Sequence, residues 1–515
     1  MNMTMPGRKS LASLPLLPLA LLVSLLFSLL LALTNPLLND DAFTYIKAAE
    51  RFQQDGIDAV LQEYGWHAYS VLIALADAVV PGGLVASAQL LNALFHLLLT
   101  GAFLALQRES SASVRQQWLA GIVILLFPLL NEMRYFIIRD VAYWAFSLLA
   151  LLQLPRLARA TTIQQSLLLA LAWCGSTLMA ALFRLEALLP ALLAPLTLLA
   201  GSATGQARLH NVHATLLLYG TLLLCAALLL LIALVAGINL PELMSFAWRY
   251  YLPLLSDLAG MLKQDALAVT AALFTPQNFP GSDNLGMGLL LLGFSCLAAV
   301  LLNLAGALGV PFTLLLLLGW RQDLQRLPRA VALPWLGYAA PSLLALLLFQ
   351  LIMHFQTQRY AALLCLLLLL YLPGFIDQWW QRAERQGKTG RFRQLLAFFI
   401  LGYSVDSLVS FGYSRQHLAL AEQWVQEELP THATLATNSF QLAWRSGRVP
   451  DYDRTQREPI LAMQAAPDSD YVVMELKRDD AASRALLDAD SALSLVTSFS
   501  NERGDEVRIY RRSAR

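Results

Sequence analysis

Apolar residues run in long blocks through most of the chain, separated by short polar connections. A helix needs about 20 mostly apolar residues to cross a hydrocarbon layer of about 30 Å. The runs that approach this are 10–34, 84–106, 117–131, 141–155, 166–183, 187–201, 214–236, 286–304, 331–353, 360–380 and 395–411, and each predicts a helix. The first follows Arg8 and Lys9, but its apolar stretch exceeds the roughly 7–15 residues of a signal-peptide core, so it reads as an uncleaved first span. The stretch 286–320, interrupted by Gly306, Gly309 and Pro311, reads as one kinked helix or as a span plus an interfacial piece. One crossing there gives eleven spans, and the alternative is thirteen.

From residue 413 onward the pattern changes. Short alternating segments at 433–438, 471–476, 493–499 and 506–511 read as strands, and 418–429 reads as a helix. The chain therefore divides into a membrane domain, 1–412, with a first outward loop at 35–83, and a small α/β domain, 413–515. No repeat of 20–50 residues is visible.

Composition agrees with this division. Only 14% of residues are charged and the mean hydropathy is +0.56, against about a quarter charged in soluble domains, which excludes a water-soluble enzyme. A net charge of +1 gives no basic field for coating nucleic acid. Cys174, Cys225, Cys296 and Cys365 lie far apart inside apolar runs and read as buried hydrophobes, not as a disulfide framework or zinc site.

Lys and Arg accumulate on the cytoplasmic side of a membrane protein. Placing the N-terminus inside gathers Arg8/Lys9, Arg108/Arg115, Arg156/Arg159, Arg208, Arg321/Arg326/Arg329 and Arg382/Arg385/Lys388/Arg391/Arg393 on that side. The connections 35–83, 132–140, the turn near Arg184, 237–285, 354–359 and the C-terminal domain then face out. The pattern closes if 237–320 crosses an odd number of times.

Ionisable residues at the mouths of spans are costly or functional, so the outward face holds the candidate chemistry. Directly after the first span come Asn39, Asp40 and Asp41, then Tyr45. Asn39 suits an N-cap, and the two acids suit the first turn of a helix that Gly56 ends. Equally, a carboxylate held just above the bilayer suits a general base for a hydroxyl nucleophile. The second outward connection holds Glu132, Arg134, Arg139 and Asp140. They suit either interfacial anchoring or phosphate recognition by arginine's planar fork. Arg184 and Glu186 form a further turn, where an internal ion pair is the simpler reading. A last outward connection supplies His354, Arg359 and Tyr360, with the histidine read first as a hydrogen bonder. Together these residues describe an outward cavity of carboxylates and arginines at lipid level, suited to a reaction on a lipid phosphate.

In the order of these motifs the chain resembles the polytopic GT-C glycosyltransferases, which include protein O-mannosyltransferases, lipid A aminoarabinose transferases and arabinofuranosyltransferases. The resemblance rests on Asp40-Asp41 opening a helix with Tyr45 and Ala48-Ala49, and on Gly65-Trp66-His67-Ala68-Tyr69-Ser70 before the second span. It continues with Arg139-Asp140, Arg184-Leu185-Glu186-Ala187, Gln358-Arg359-Tyr360 and the outward C-terminal domain. It implies an inverting transfer of a sugar from a polyprenyl-phosphate donor to a hydroxyl of a glycan, lipid or protein, on the periplasmic face of a bacterial inner membrane. By the resemblance Asp40 is the base, Asp41 supports it or a metal, and Asp140 is the second acidic motif. Arg139, Arg184, Arg359 and Arg134 become candidates for the donor phosphate, and Tyr45, Glu132, Glu186, His354 and Tyr360 supporting residues. A divalent cation is permitted without being required, with Asp41 and Asp140 as candidate ligands. Where many relatives place an aromatic-Pro pair before the second span, this chain has Ala68-Tyr69-Ser70. A flippase of lipid-linked sugars and an O-antigen ligase or polymerase are the alternative readings. The carboxylate pair in the first outward loop and the appended domain favour the transferase. From the sequence, Asp40→Asn is expected to abolish transfer with donor binding retained, and Arg359→Ala to weaken donor binding, both measured with purified protein and radiolabelled donor.

Overall fold

The computed structural model of the chain describes residues 15–35, 37–110, 113–201, 205–235, 237, 256–273, 285–320, 327–408 and 416–513. Arg8, Lys9, Arg321, Arg326 and the domain boundary at 412 lie outside these residues, as do 238–255 and 274–284 of the stretch that sets the span count.

The membrane domain consists of α1 (Leu16–Thr34), α2 (Asp40–Asp55), α3 (Ile57–Glu63), α4 (Ala68–Asp77), α5 (Gly83–Glu109), α6 (Val114–Leu125), α7 (Pro128–Glu132), α8 (Asp140–Leu157) and α9 (Ile163–Phe183). It continues through α10 (Leu188–Thr197), α11 (Gly205–Val235), α12 (Leu258–Leu273), α13 (Leu285–Trp320), α14 (Arg329–Met353), α15 (Ala362–Leu369), α16 (Leu372–Arg385) and α17 (Thr389–Leu408). All the predicted apolar runs are helical over their described residues, with breaks at 126–127, 198 and 370–371. The first break has a local cause: Pro128 starts α7 and holds Phe127 extended. Likewise α13 kinks at Gly309, whose φ of 75° is open to glycine, two residues before Pro311.

Six of the described helices, α1, α5, α9, α11, α13 and α14, are long and apolar enough to cross a membrane, and α15–α16 with the turn before them makes a seventh if that bent pair is one span. The other runs are shorter or more polar. Their position explains it. Helix α8 is buried along nearly its whole length between neighbouring helices, so protein, not lipid, surrounds Asp140 and Gln153. By contrast α1 and α11 expose rows of leucines, among them Leu22, Leu26, Leu29, Leu216, Leu223 and Leu224, as a lipid-facing surface requires. The chain is thus a polytopic α-helical membrane protein.

Ion pairs sort to the two ends of this bundle. At one end Arg115 binds Asp377 and lies 3.1 Å from Glu384, while Glu109 receives Arg156 at 2.7 Å and Arg159 at 2.6 Å. These are residues that the charge pattern grouped on one side. The other end carries Asp41, Arg139, Asp140, Arg184 and Arg359.

The C-terminal domain follows as α18 (Gln416–Glu427), β1 (Leu435–Thr437), α19 (Phe440–Ser446), α20 (Pro459–Ala465), β2 (Tyr471–Leu476), α21 (Ala481–Ala489), β3 (Leu493–Ser500) and β4 (Glu506–Arg512). The sheet order is β1-β2-β4-β3, with β1 parallel to β2 and the other neighbours antiparallel. Alternation along β2 and β4 buries Val473, Val507 and Ile509 against α18 and Val472, Met474 and Tyr510 on the opposite face, so apolar layers cover both sides of the sheet.

On β4, burial pushes the Glu506 carboxyl up, but hydrogen bonds from Arg508 and Arg484 outweigh this and hold it below the usual glutamate range. Its contribution to stability is present above that range and is lost as pH falls through the lowered native value. Replacing Glu506 with Gln should therefore flatten the acid limb of a denaturation curve of this chain, read from loss of β-sheet signal as pH falls below the usual glutamate range.

Candidate functional site

Helix α2 begins where the first membrane helix ends, and its two leading carboxylates diverge. Asp41 faces a cavity of about 250 Å³ lined also by Thr44, Tyr45, Tyr64, Arg139, Asp140, Arg184, Arg359 and Tyr360. Asp40 does not line it. Its side chain is 55% exposed and lies 2.6 Å from Arg457 of the C-terminal domain. Successive residues of a helix point about 100° apart, so two adjacent acids cannot share one face.

Five chain segments meet at this cavity, and Asn39 ties two of them together. Its Oδ1 accepts from the Ile137 N–H at 2.8 Å and its Nδ2 donates to the Ile137 carbonyl at 3.3 Å. Asn39 occupies the N-cap position, as the sequence predicts, but its side chain makes no capping bond. The amide serves the neighbouring loop instead, which brings the α2 start beside Arg139 and Asp140.

The charges interlock. Asp140, with a side chain 5% exposed, is bound by Arg184, which also lies 3.6 Å from Glu186. Asp41, 40% exposed, is bound by Arg359. Arg184 and Arg359 both lie against the Tyr360 ring, at 4.7 and 5.4 Å from its centre. Arg139 differs. Its guanidinium stacks 4.5 Å over Trp66, and its buried Nη1 has no hydrogen-bond partner among the described residues. Three arginines and two aspartates line the cavity, and Glu186, behind Arg184, supplies the third acid. A buried donor without an acceptor is costly, so the site is built to receive an anionic oxygen.

The aromatic wall is also well defined. Tyr45 and Tyr64 meet edge to face at 5.7 Å, and Tyr45 meets Tyr69 at 5.0 Å. Burial pushes the Tyr64 phenol above its ordinary range, so it stays a neutral donor. Thr44 and Tyr64 are lining residues that the sequence reading missed. Thr44 lies one helical turn from Asp41, a spacing that would have found it. Tyr64 enters from the loop after α3 and left no such signal.

The remaining candidates lie elsewhere. Arg134 is buried and donates to Asn131 at 2.9 Å and to Ser24 and Ser28 at 2.9–3.1 Å, fastening α1 to the loop before α8. It is committed to the fold and does not face the cavity. Glu132 is exposed and also off the cavity. His354 lies 3.0 Å from Asp265 on α12, consistent with a hydrogen-bonding part. Among the described residues no three His, Cys, Asp or Glu side chains converge on one point. Asp41 and Asp140 each already bind an arginine, so these residues do not form a cation cage.

The C-terminal domain closes one side of α2. Phe43 packs against Phe440, Trp444 and Tyr452, with ring centres 5.9, 5.9 and 6.4 Å away. The Tyr452 hydroxyl donates to Glu50 at 2.9 Å, and Lys47 donates to the Pro450 carbonyl at 2.7 Å.

No family model matches the chain, and no curated protein is similar to it. Similar solved structures do exist. The archaeal oligosaccharyltransferase AglB from Archaeoglobus fulgidus, in complex with an inhibitory peptide and a dolichol-phosphate, superposes with a TM-score of 0.49 at 13% identity over 96% of this chain and 74% of that one. ArnT from Cupriavidus metallidurans bound to undecaprenyl phosphate gives a TM-score of 0.39 at 12% identity over 96% of this chain and 97% of that one.

Asn39→Ala should orphan both polar groups of Ile137, a buried residue, and destabilise the protein by about 2 kcal/mol, read as a lower thermal midpoint in detergent.

Proposed function

We propose that this protein is a membrane glycosyltransferase that moves a sugar from a polyprenyl-phosphate donor to an acceptor hydroxyl on a glycan, lipid or protein, in the manner of the GT-C enzymes whose motif order it shares. The observation that carries the reading is the unused Arg139 donor, placed in a cavity with an accessible carboxylate, at the end of the helices opposite the Arg156/Arg159 cluster.

The chemistry follows from these groups. The donor phosphate enters against Arg139 and competes with Asp41 for Arg359. A carboxylate bound by arginine is a weak base, so release of Asp41 by the incoming phosphate raises its basicity once the donor is in place. Asp41 then takes the proton of the acceptor hydroxyl, the oxygen forms a bond to the anomeric carbon, and the bond to the phosphate oxygen breaks. Polyprenyl phosphate leaves as an anion stabilised by Arg139 and Arg359, and the single displacement inverts the anomeric centre. Asp140 and Arg184 are too deeply paired to titrate with the reaction; they fix the position of Arg359, which lies within electrostatic reach of both aspartates.

The exposed contact of Asp40 with Arg457 moves the expected base from Asp40 to Asp41. Mass spectrometry of surface glycans, lipids and proteins from cells with and without the gene identifies donor and acceptor. With that pair in hand, Asp41→Asn should lower turnover by about 10²–10⁴-fold. Asp40→Asn should retain most activity, and Arg359→Ala should raise the KM for donor. A fully active Asp41→Asn enzyme would remove Asp41 from the chemistry. Movement of labelled lipid-linked sugar across liposomes without glycoside formation would replace the transferase with a flippase.

A further inference from the structure

A second cavity of about 250 Å³ opens at the other end of the helices, where α8, α10, α11 and α14 meet; Arg159, His210, Asn211 and Arg329 line it together with Leu333 and Pro334. Helix α8 has Asp140 at its first residue and ends just before Arg159, and its 18 residues rise about 27 Å, close to one hydrocarbon thickness. The two cavities therefore lie at opposite surfaces of the membrane domain.

The second cavity is built, not a gap between loose side chains. His210 Nε2 lies 3.2 Å from the Leu157 carbonyl, and Asn211 donates to the Leu198 carbonyl at 2.7 Å. Arg329 donates to the Ala200 carbonyl at 3.0 Å and pairs with no carboxylate among the described residues. Arg159 donates to Glu109 at 2.6 Å, but Glu109 also neutralises Arg156, so this acid serves two arginines. Among the described residues two arginines, Arg159 and Arg329, line the opening, and the one acid that pairs with Arg159, Glu109, is shared with Arg156. Below the arginines the wall becomes apolar, with Leu333 and Pro334, and the exposed Leu336 continues the α14 surface nearly one turn further on.

We infer that this second cavity binds the phosphate of an anionic lipid headgroup, with the guanidinium groups of Arg159 and Arg329 as its donors and the acyl chains lying along α14. Arginine forks suit phosphate oxygens, and a cationic rim over an apolar wall at the hydrocarbon boundary suits an amphiphile better than a soluble metabolite. None of these residues belongs to the Asp41 cavity, so the inference stands whether or not the proposed transfer is correct.

The test uses the full-length protein in non-ionic detergent, incubated with radiolabelled phosphatidylglycerol or phosphatidylcholine and separated from free lipid. Wild type should retain phosphatidylglycerol in preference to phosphatidylcholine. The double variant Arg159→Gln/Arg329→Gln should bind it about tenfold more weakly, the effect of losing charge-assisted hydrogen bonds. Leu333→Trp, which fills the cavity and keeps both arginines, should also lose retention, and it serves alone if the double variant does not fold. Inorganic phosphate that fails to displace the lipid supports the headgroup as the source. Displacement by phosphate supports the same donors with a soluble ligand. Equal retention of the two lipids by wild type, or undiminished phosphatidylglycerol retention by Leu333→Trp, would overturn the inference.

Discussion

The fold around the Asp41 cavity depends on charge compensation away from water. Asp140 and Arg184 are almost fully buried. Neither ion could remain there without the other, since an unpaired charge in such surroundings costs several kcal/mol. That constraint fixes the approach of α8 to the turn after α9, and a more exposed pair, Arg359 with Asp41, links α2 to the turn before α15. Tyr360 lies against both guanidinium groups and keeps them from spreading apart. The result is a charged floor on which, among the described residues, Arg139 Nη1 and Arg359 Nε are buried donors without an acceptor.

The C-terminal domain participates in this arrangement through α2. Its ring cluster around Phe43 grips the helix less than one turn from Asp41, and Arg457 takes the other carboxylate. The pair of Asp40 and Arg457 is exposed, so its contribution to stability is at most about 1 kcal/mol. Its consequence is geometric, because it turns Asp40 away from the cavity. With Asp40 held by Arg457, it is Asp41 of the doublet that lines the cavity.

Much of the architecture was legible because its signals are local. Apolar run length located the helices, and the change of pattern after residue 412 located the α/β domain, whose four strands fall where alternation placed them. Six helices fall outside the predicted elements: α3, α4, α19, α20 and α21, whose seven to ten residues give little periodicity, and α12, within the connection 237–285. Membrane-domain helices rich in polar residues, such as α8, do not pass as lipid-facing spans because other helices surround them. The acidic and arginine motifs at the mouths of the helices were also visible, because charge beside long apolar runs is conspicuous in any sequence.

What the sequence determined by itself was the type of protein and the residue types that gather at one membrane surface, both consequences of hydropathy and charge spacing along the chain. Only the tertiary structure distinguished Asp41 from Asp40, set Arg134 to fastening α1 instead of lining the cavity, and gave Asn39 to Ile137 instead of to its own helix. Each of these depends on a partner about 100 or more residues distant, or on an angle about the helix axis. Linear order carries no record of either until the helices pack and their buried charges must find one another.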